Sequence, residues 1–486
     1  MDYTKKAVFG IGWVSIVNIM TRGVRFLITL ILARLLEPTD FGLVAIGLLV
    51  INTVSMFRDL GLGPALIYQK RDVERASNTA MILFPLVGVV LTAFTFVIAP
   101  ITADFFNSSA SRPVIQYLSL TLLLVTFGIT PSILLDKEME FKRQFLPELG
   151  SMIAYGGVAI GLAYGGYGVW ALVYGKILSL AVWVGLIWLV APWKPKWEFD
   201  FGIAKEMLGY GRHILAVSLI GFLISNLDNG VVGKLLGTAA LGYYAMAFNI
   251  STLPASNVIG LVNRVLFPMY SKINEKKEAL ARVYLKSIRY TSALAVPMSL
   301  GILVLAPDIV QQLLGEKWMP AMLPLQILCI AGFLSSISAN FGLIFNAVGK
   351  PQVTEKFSLA YLIVFAAMLY PFTLWYGIIG TSVAVTIPSL IFTVVGYKMA
   401  SNLLDIRLRR YYDVLKIPVS GSFCMMAAII AAQETLPITG IPRLAILVII
   451  GAISYLGAIY IIGRELIVDF RELLKKVNES EKSSLA

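Results

Sequence analysis

The sequence is poor in the residues on which metal sites, redox sites and most catalytic centres depend. It contains a single histidine, His213, and two cysteines, Cys329 and Cys424. Both cysteines lie in apolar segments without CxxC spacing, so we expect no metal, no cofactor and no disulfide framework. The sequence also has no Walker A loop and no catalytic histidine cluster. We therefore expect a protein that is not an enzyme and not an ATP-driven pump.

Charge is also scarce: only 14% of the 486 residues are charged, whereas 58% are hydrophobic. This composition is too apolar for a soluble domain of such length. About 14 apolar runs, most of them about 18 residues or longer, predict a polytopic membrane protein. Because strand-type alternation is absent, we expect an all-α bundle of about 14 transmembrane helices and not a barrel.

Basic residues are concentrated in alternate connections, beginning with Lys5 and Lys6 at the N-terminus and ending with the tail from Arg464. The opposite connections carry one basic residue each: Arg34, Arg112, Lys234, Lys317 and Arg443. Cytoplasmic loops carry the excess of Lys and Arg, so both termini are predicted to lie in the cytoplasm, with the chain in the cytoplasmic (inner) membrane. The net charge of +12 follows from this topology and does not require nucleic acid as a partner.

The longest predicted inner connection contains an amphipathic segment, "INEKKEALARVYLKSIRY". Leu280, Tyr284 and Ile288 share one face, and Lys277 and Arg282 lie elsewhere. This pattern predicts an interfacial helix on anionic headgroups, with a solvated basic linker as the alternative.

An internal repeat relates the start of the chain to a region 200 residues later. "ARLLEPTDFGLVA" (residues 33–45) aligns with "GKLLGTAALGYYA" (residues 233–245), including Gly42 with Gly242. Six predicted helices separate the copies, so the repeat is parallel, with a pseudo-two-fold axis along the membrane normal. We expect an N-lobe of helices 1–6 (residues 1–191), a C-lobe of helices 7–12 (192–400), and helices 13–14 with a basic cytoplasmic tail (401–486).

Two arginines, Arg22 and Arg25, interrupt the first apolar run. A central arginine costs about 2.5–3.5 kcal/mol on membrane insertion, so charges at this depth are expected to meet water or anions. They belong to one polar stripe, which consists of Ser15, Asn18, Arg22, Arg25 and Thr29. Together with Lys176 they exceed the one clear intramembrane acid, Asp228, and this surplus predicts a cavity for an anion, especially phosphate. Salt bridges that hold helices together are the alternative.

Polar residues on other predicted helices are candidates for binding sugar hydroxyls. With Asn18 of the arginine stripe, the predicted substrate-binding set includes Asn52, Ser55, Asn249, Thr252 and Ser256. Hydrogen bonds between helices are the alternative role of each. For Asp228 the alternatives are coupling of a cation and an ion pair with Arg25 or Lys176.

The segment that follows the arginine stripe, residues 33–84, contains "LEPTDFG" and "DLGLGPALI". These elements resemble the second-helix region of Wzx-type exporters, the polysaccharide transport family of the multidrug/oligosaccharidyl-lipid/polysaccharide (MOP) superfamily. The resemblance implies a flippase that moves undecaprenyl-pyrophosphate-linked oligosaccharides to the outer leaflet by alternating access. It also implies a cationic central cavity, with Arg22 and Arg25 at the position of the family's first-helix arginines. Membrane lipids and a polysaccharide polymerase machinery are the further partners implied.

Two other functions compete with this interpretation. A multidrug cation exporter of the same superfamily is expected to carry acids in its cavity, whereas this core is rich in Arg and Lys. A membrane polysaccharide polymerase is expected to have a substantial outer loop, whereas the longest predicted outer connection is only residues 100–112.

Overall fold

The computed structural model describes residues 20–59, 66, 72–255, 270, 273, 277–338 and 340–463, without the side chains of residues 59 and 206–218. Within these ranges the regular elements are helices and no strand occurs, so the all-α prediction is confirmed. The helices are α1 (residues 20–35), α2 (Pro38–Asp59), α3 (Val73–Phe105), α4 (Ser111–Lys137), α5 (Phe141–Tyr164), α6 (Val169–Val190), α7 (Phe201–Ser251), α8 (Lys277–Asp308), α9 (Met322–Ser338), α10 (Asn340–Ala347), α11 (Pro351–Leu404), α12 (Leu408–Thr435) and α13 (Ile441–Ile462). A π-helical turn (Ile309–Leu314) and a 3-10 turn (Glu316–Ala321) lie between α8 and α9.

Eleven helical segments of the described residues are long and apolar enough to cross a membrane. Two long helices are each broken at a glycine: α7 at Gly237 (φ 82°) and α11 at Gly377 (φ 61°). Glycine adopts positive φ without the steric penalty of a Cβ, so it permits these breaks. Helix α11 contains two of the predicted apolar runs, at about 357–374 and 378–397, and α7 contains the run at about 213–233 and the first part of the run at about 241–262. The chain is therefore a multi-pass membrane protein, while the total of about 14 helices stays a prediction.

The chain divides into two compact units, residues 1–245 and 246–486. In the first unit, α1 packs on α5 because Gly156 leaves space for the Ile28 side chain, which lies 2.7 Å from the position of a Cβ at that glycine. One turn further along α5, Ala159 packs against Gly175 of α6, where a Cβ would lie 2.9 Å from the Ala159 side chain. The predicted lobe boundaries at residues 191 and 400 stay predictions.

The two copies of the sequence repeat meet inside the first unit. Pro38 begins α2, and Thr238 follows the break in α7, so each copy starts a helix at the equivalent position. A Cβ at Gly42 would lie 1.8 Å from the carbonyl oxygen of Thr238, and a Cβ at Gly242 would lie 1.9 Å from that of Pro38. Small residues allow such close backbone approach between membrane helices. The same contact is thus made twice, as a two-fold relation between the repeats requires.

In the second unit, the last two helices pack against α8. Tyr455 of α13 donates a hydrogen bond to the backbone carbonyl of Ala293 at 2.6 Å. At the end of α8, Asp308 accepts a hydrogen bond from Gln433 at 2.7 Å and faces Arg443 at 3.7 Å. An apolar cluster that includes Leu305, Met425, Ile429 and Leu447 fills the space between these helices.

The amphipathic segment of residues 277–289 is the beginning of α8, so the prediction of a separate interfacial helix is wrong. Leu280, Tyr284 and Ile288 are buried in a protein cluster together with Phe341 and Ile344. The basic residues of the segment lie on the opposite, more exposed side. The apolar face therefore contacts other helices and not lipid headgroups.

Candidate functional site

Charged side chains on three helices of the first unit are exposed: Arg25 on α1, and Glu148 and Lys176 on α5 and α6, which are long and apolar enough to span a membrane. Arg22, the other predicted arginine, is half-buried on α1. An exposed charge on a spanning helix faces either lipid or an opening in the protein, and the cost of a charge in lipid favours the opening. The positions of neighbouring apolar residues distinguish the two.

On α1 the exposed large apolar residues are Met20, Val24, Leu27 and Ile31, which mark the lipid-facing side. A helix turns by about 100° per residue, so Arg25 lies roughly opposite Leu27. Thr29 is on the same side as Arg25, and its hydroxyl donates to the backbone carbonyl of Arg25 at 2.9 Å. Arg25 therefore points away from lipid.

Lys176 has the same placement on α6. The exposed apolar residues Tyr174 and Leu178 precede and follow it by two positions, which puts both about 160° around the helix from Lys176. Arg25 and Lys176 are close enough for their charges to repel each other. The two exposed cations thus lie near each other, on sides of α1 and α6 that face away from lipid, and we call the space beside them the cationic opening.

The opening is cationic in the part of the chain that the structure describes. Neither Arg25 nor Lys176 forms a salt bridge with a described residue. Two like charges held near each other in a membrane protein are unfavourable unless water or an anion reaches them. The arrangement is suited to binding an anion that has at least two negatively charged groups.

Sequence reasoning missed two members of this site, Glu148 and Tyr155 of α5. Tyr155 lies close enough to Arg25 to interact electrostatically with it, and Glu148 acts in the same way on Lys176. The signal in the sequence was the spacing of Glu148, Ser151 and Tyr155 at i, i+3 and i+7, which places all three on one helix face.

Asp228 is buried in α7 with 1% of its surface exposed, and it lies among hydrogen-bond donors. The Tyr244 hydroxyl donates to its carboxylate at 2.7 Å, and the backbone N–H of Asn229 donates at 2.8 Å. Tyr244 follows the Gly237 break, so the bond ties together the two arms of α7. No hydrogen bond or salt bridge joins Asp228 to Arg25 or Lys176 in the described residues, and its predicted roles in cation coupling or ion pairing stay predictions.

The predicted sugar-binding residues are placed as follows. Asn52 is exposed on α2, and the Ser55 hydroxyl donates to its backbone carbonyl at 2.8 Å. In the second unit, Asn249 is exposed, and the Thr252 hydroxyl donates to the carbonyl of Phe248 at 2.9 Å. Asn18 and Ser256 lie outside the described residues. No group of His, Cys, Asp and Glu side chains that would suit a metal ion occurs in the described ranges.

Comparison with known proteins relates the chain to proteins named for polysaccharide biosynthesis. Residues 31–323 match a family described as polysaccharide biosynthesis protein. The lipopolysaccharide biosynthesis protein WzxC of Escherichia coli K12 is 25% identical over 86% of this chain and 86% of its own length. The teichuronic acid biosynthesis protein TuaB of Bacillus subtilis 168 is 24% identical over 93% of this chain and 95% of its own length.

Solved structures show which fold these helices form. The lipid II flippase MurJ in an inward closed conformation superposes with a TM-score of 0.76 at 15% identity, over 93% of this chain and 99% of that one. An inward-facing multidrug resistance transporter of the MATE family, within the MOP superfamily, gives a TM-score of 0.63 at 15% identity, over 78% and 95% of the chains. The chain therefore shares the fold of these two proteins.

Proposed function

The chain belongs to the polysaccharide biosynthesis protein family, and from this premise we propose that it is a flippase for undecaprenyl-pyrophosphate-linked oligosaccharides. The substrate moves from the cytoplasmic to the outer leaflet and supplies the synthesis of a cell-surface polysaccharide. The observation that carries this proposal is the pair of exposed cations, Arg25 and Lys176, inside a membrane-embedded unit. The names of WzxC and TuaB, and the flippase named among the solved structures, support it.

The chemistry of the pair fits a pyrophosphate diester. Each phosphate of such a lipid carries one negative charge, so two cations neutralise the headgroup. The guanidinium of Arg25 presents parallel N–H groups that match phosphate oxygens, and the Lys176 ammonium acts as a mobile point charge. Arg22 extends the cationic stripe along α1. Polar residues such as Asn52 are available for sugar hydroxyls.

The rival function within the same fold is export of cationic drugs. Its support is the likeness to a MATE transporter, which shows the fold alone. A cationic drug in the opening described above would be repelled by Arg25 and Lys176, and among the described residues Glu148 is the one acid shown to act on Lys176. The excess of positive charge therefore favours an anionic substrate.

Transport follows alternating access in this proposal. The N-lobe (1–191) and the C-lobe (192–400) rock about a central cavity that opens first to the cytoplasm and then to the outside, as parallel-repeat transporters do. The cations hold the pyrophosphate while the sugars cross in water and the polyprenyl chain stays in lipid. A polymerase machinery that consumes the flipped lipid is a further proposed partner.

A transport assay tests the function directly. The purified chain is reconstituted in liposomes that contain a polyprenyl pyrophosphate carrying a fluorescent oligosaccharide, and the fraction quenched by an impermeant reductant is followed over time. We expect transbilayer movement well above that of protein-free liposomes, and no uptake of a cationic dye. Uptake of the dye without movement of the lipid would favour the drug exporter instead.

We also propose that both termini lie in the cytoplasm, and labelling of single cysteines tests this orientation. In a variant with Cys329 and Cys424 replaced by alanine, Asn107→Cys and Thr439→Cys are expected to react with an impermeant maleimide in intact cells. Both positions are exposed at helix ends, so the reagent has access to them. Lys194→Cys, exposed between α6 and α7, is expected to react only after lysis. The reverse pattern would contradict the orientation.

A further inference from the structure

We propose that Glu148 binds the first sugar of the lipid-linked oligosaccharide and so makes the site selective for a glycosylated pyrophosphate. This proposal rests on the function proposed above and assigns one more residue to its site. The feature that carries it is a carboxylate that faces the cationic opening from the cytoplasmic side.

Glu148 points into the opening and not into lipid. The exposed apolar residues of the same stretch of α5 are Leu146 and Ile153. At about 100° per residue, Glu148 lies roughly 140° to 160° away from both, whereas Tyr155 lies within about 20° of it. Tyr155 interacts electrostatically with Arg25, which lies on the side of α1 away from lipid. Glu148 therefore shares the side of α5 that meets the cations.

The order of the groups along the membrane normal matches the order of groups in the substrate. Glu148 precedes Tyr155 by seven residues, which corresponds to about 10 Å along the helix axis. Since α5 begins at Phe141 on the side predicted to be cytoplasmic, Glu148 lies nearer the cytoplasm than Tyr155, the residue of α5 that interacts with Arg25. A substrate that enters from the inner leaflet has its sugars on the cytoplasmic side of its phosphates. With the pyrophosphate at Arg25 and Lys176, the first sugar lies beside Glu148.

The chemistry of a carboxylate suits a sugar and not a phosphate. An ionised carboxylate has two acceptor oxygens, which accept hydrogen bonds from adjacent sugar hydroxyls, while it repels a phosphate. The Glu148 side chain is exposed and forms no hydrogen bond or salt bridge with a described residue, so its acceptors are available. Its charge also opposes binding of a pyrophosphate that brings no sugar to offset the repulsion.

The test compares two ligands on the full-length protein: polyprenyl pyrophosphate without sugar and the same lipid carrying one glucose. In Glu148→Ala, affinity for the glycosylated lipid is expected to fall about tenfold, while affinity for the bare lipid stays the same or rises. This divergence has two causes, the lost hydrogen bonds and the lost repulsion. Glu148→Gln, which keeps one acceptor oxygen, is expected to retain part of the preference for sugar.

Glu138→Ala is the matched control, because Glu138 is an exposed acid at the end of α4 that has no interaction with Lys176. It is expected to leave both affinities unchanged. If the wild-type protein bound both lipids and Glu148→Ala changed both affinities equally, the role of Glu148 would be overturned. The proposed function would stand in that case. Wild-type protein that binds neither lipid would overturn the proposed function and this role with it.

Discussion

Replacing Arg25 with glutamine is expected to lower the rate of lipid-linked oligosaccharide flipping by tenfold to a hundredfold. The exposed guanidinium makes charge-assisted hydrogen bonds to phosphate in the proposed complex, and such bonds contribute about 1.5–3 kcal/mol each. This range corresponds to about 10- to 100-fold in affinity. The measurements are the initial flipping rate in liposomes and the dissociation constant for the lipid.

Further variants test whether the effect of Arg25→Gln comes from loss of phosphate binding. Arg25→Lys keeps the charge but loses the planar fork, so an intermediate rate is expected. Lys176→Gln removes the second cation of the opening and, like Arg25→Gln, is expected to weaken binding of the lipid-linked oligosaccharide. Arg112→Gln, a matched change at an exposed arginine in the first turn of α4, is expected to flip substrate at the wild-type rate.

The outcome that would contradict the cationic site is specific. If Arg25→Gln and Lys176→Gln were inserted and folded normally and still flipped substrate at the wild-type rate, the pair would have no role in binding. If the variants instead failed to fold, the result would support the alternative in which the charges hold helices together. Thermal unfolding of each variant in detergent separates these results.

The sequence predicted one side of the candidate site and missed the other. Arg25 was predictable because an arginine within an apolar run has few uses in a membrane. Glu148 was not, because its exposure and its direction relative to Leu146 and Ile153 are visible only when α5 is packed in the first unit. Glu148 lies seven residues after the start of α5, where a polar side chain can face either another helix or an opening. The sequence spacing alone does not tell these two environments apart.

The amphipathic segment at the beginning of α8 shows a second limit of sequence analysis. Its periodicity correctly identified an apolar face with Leu280, Tyr284 and Ile288. Periodicity states that a face is apolar but not whether lipid or protein covers it. Tertiary packing decided the matter, because Phe341 and Ile344 of α10 lie in the same cluster.

The repeat, in contrast, was predictable in sequence and has a structural consequence that the alignment did not reveal. Gly42 and Gly242 align at equivalent positions, and each contacts the backbone carbonyl that begins the other copy's helix. The two glycines are therefore the places where α2 and the second arm of α7 touch. Side chains at these positions control how closely the two helices approach.

Gly42→Ala and Gly242→Ala are each expected to destabilise the folded protein by about 1–3 kcal/mol, the usual cost of overpacking a close contact. The new Cβ would lie 1.8 Å or 1.9 Å from a carbonyl oxygen, and a backbone atom has no rotamer by which to yield, so the helices must separate. The measurement is the midpoint of thermal unfolding in detergent, together with the flipping rate in liposomes.

Gly157→Ala is the control for this pair, since a Cβ at Gly157 meets no atom within 4 Å. Its midpoint is expected to equal or exceed that of the wild type, because alanine favours the helix more than glycine does. The double variant of Gly42 and Gly242 is expected to lose less stability than the two single losses combined, since one separation of the helices relieves both clashes. Strict additivity would show that the two contacts yield independently and would contradict a single crossing shared by the repeats.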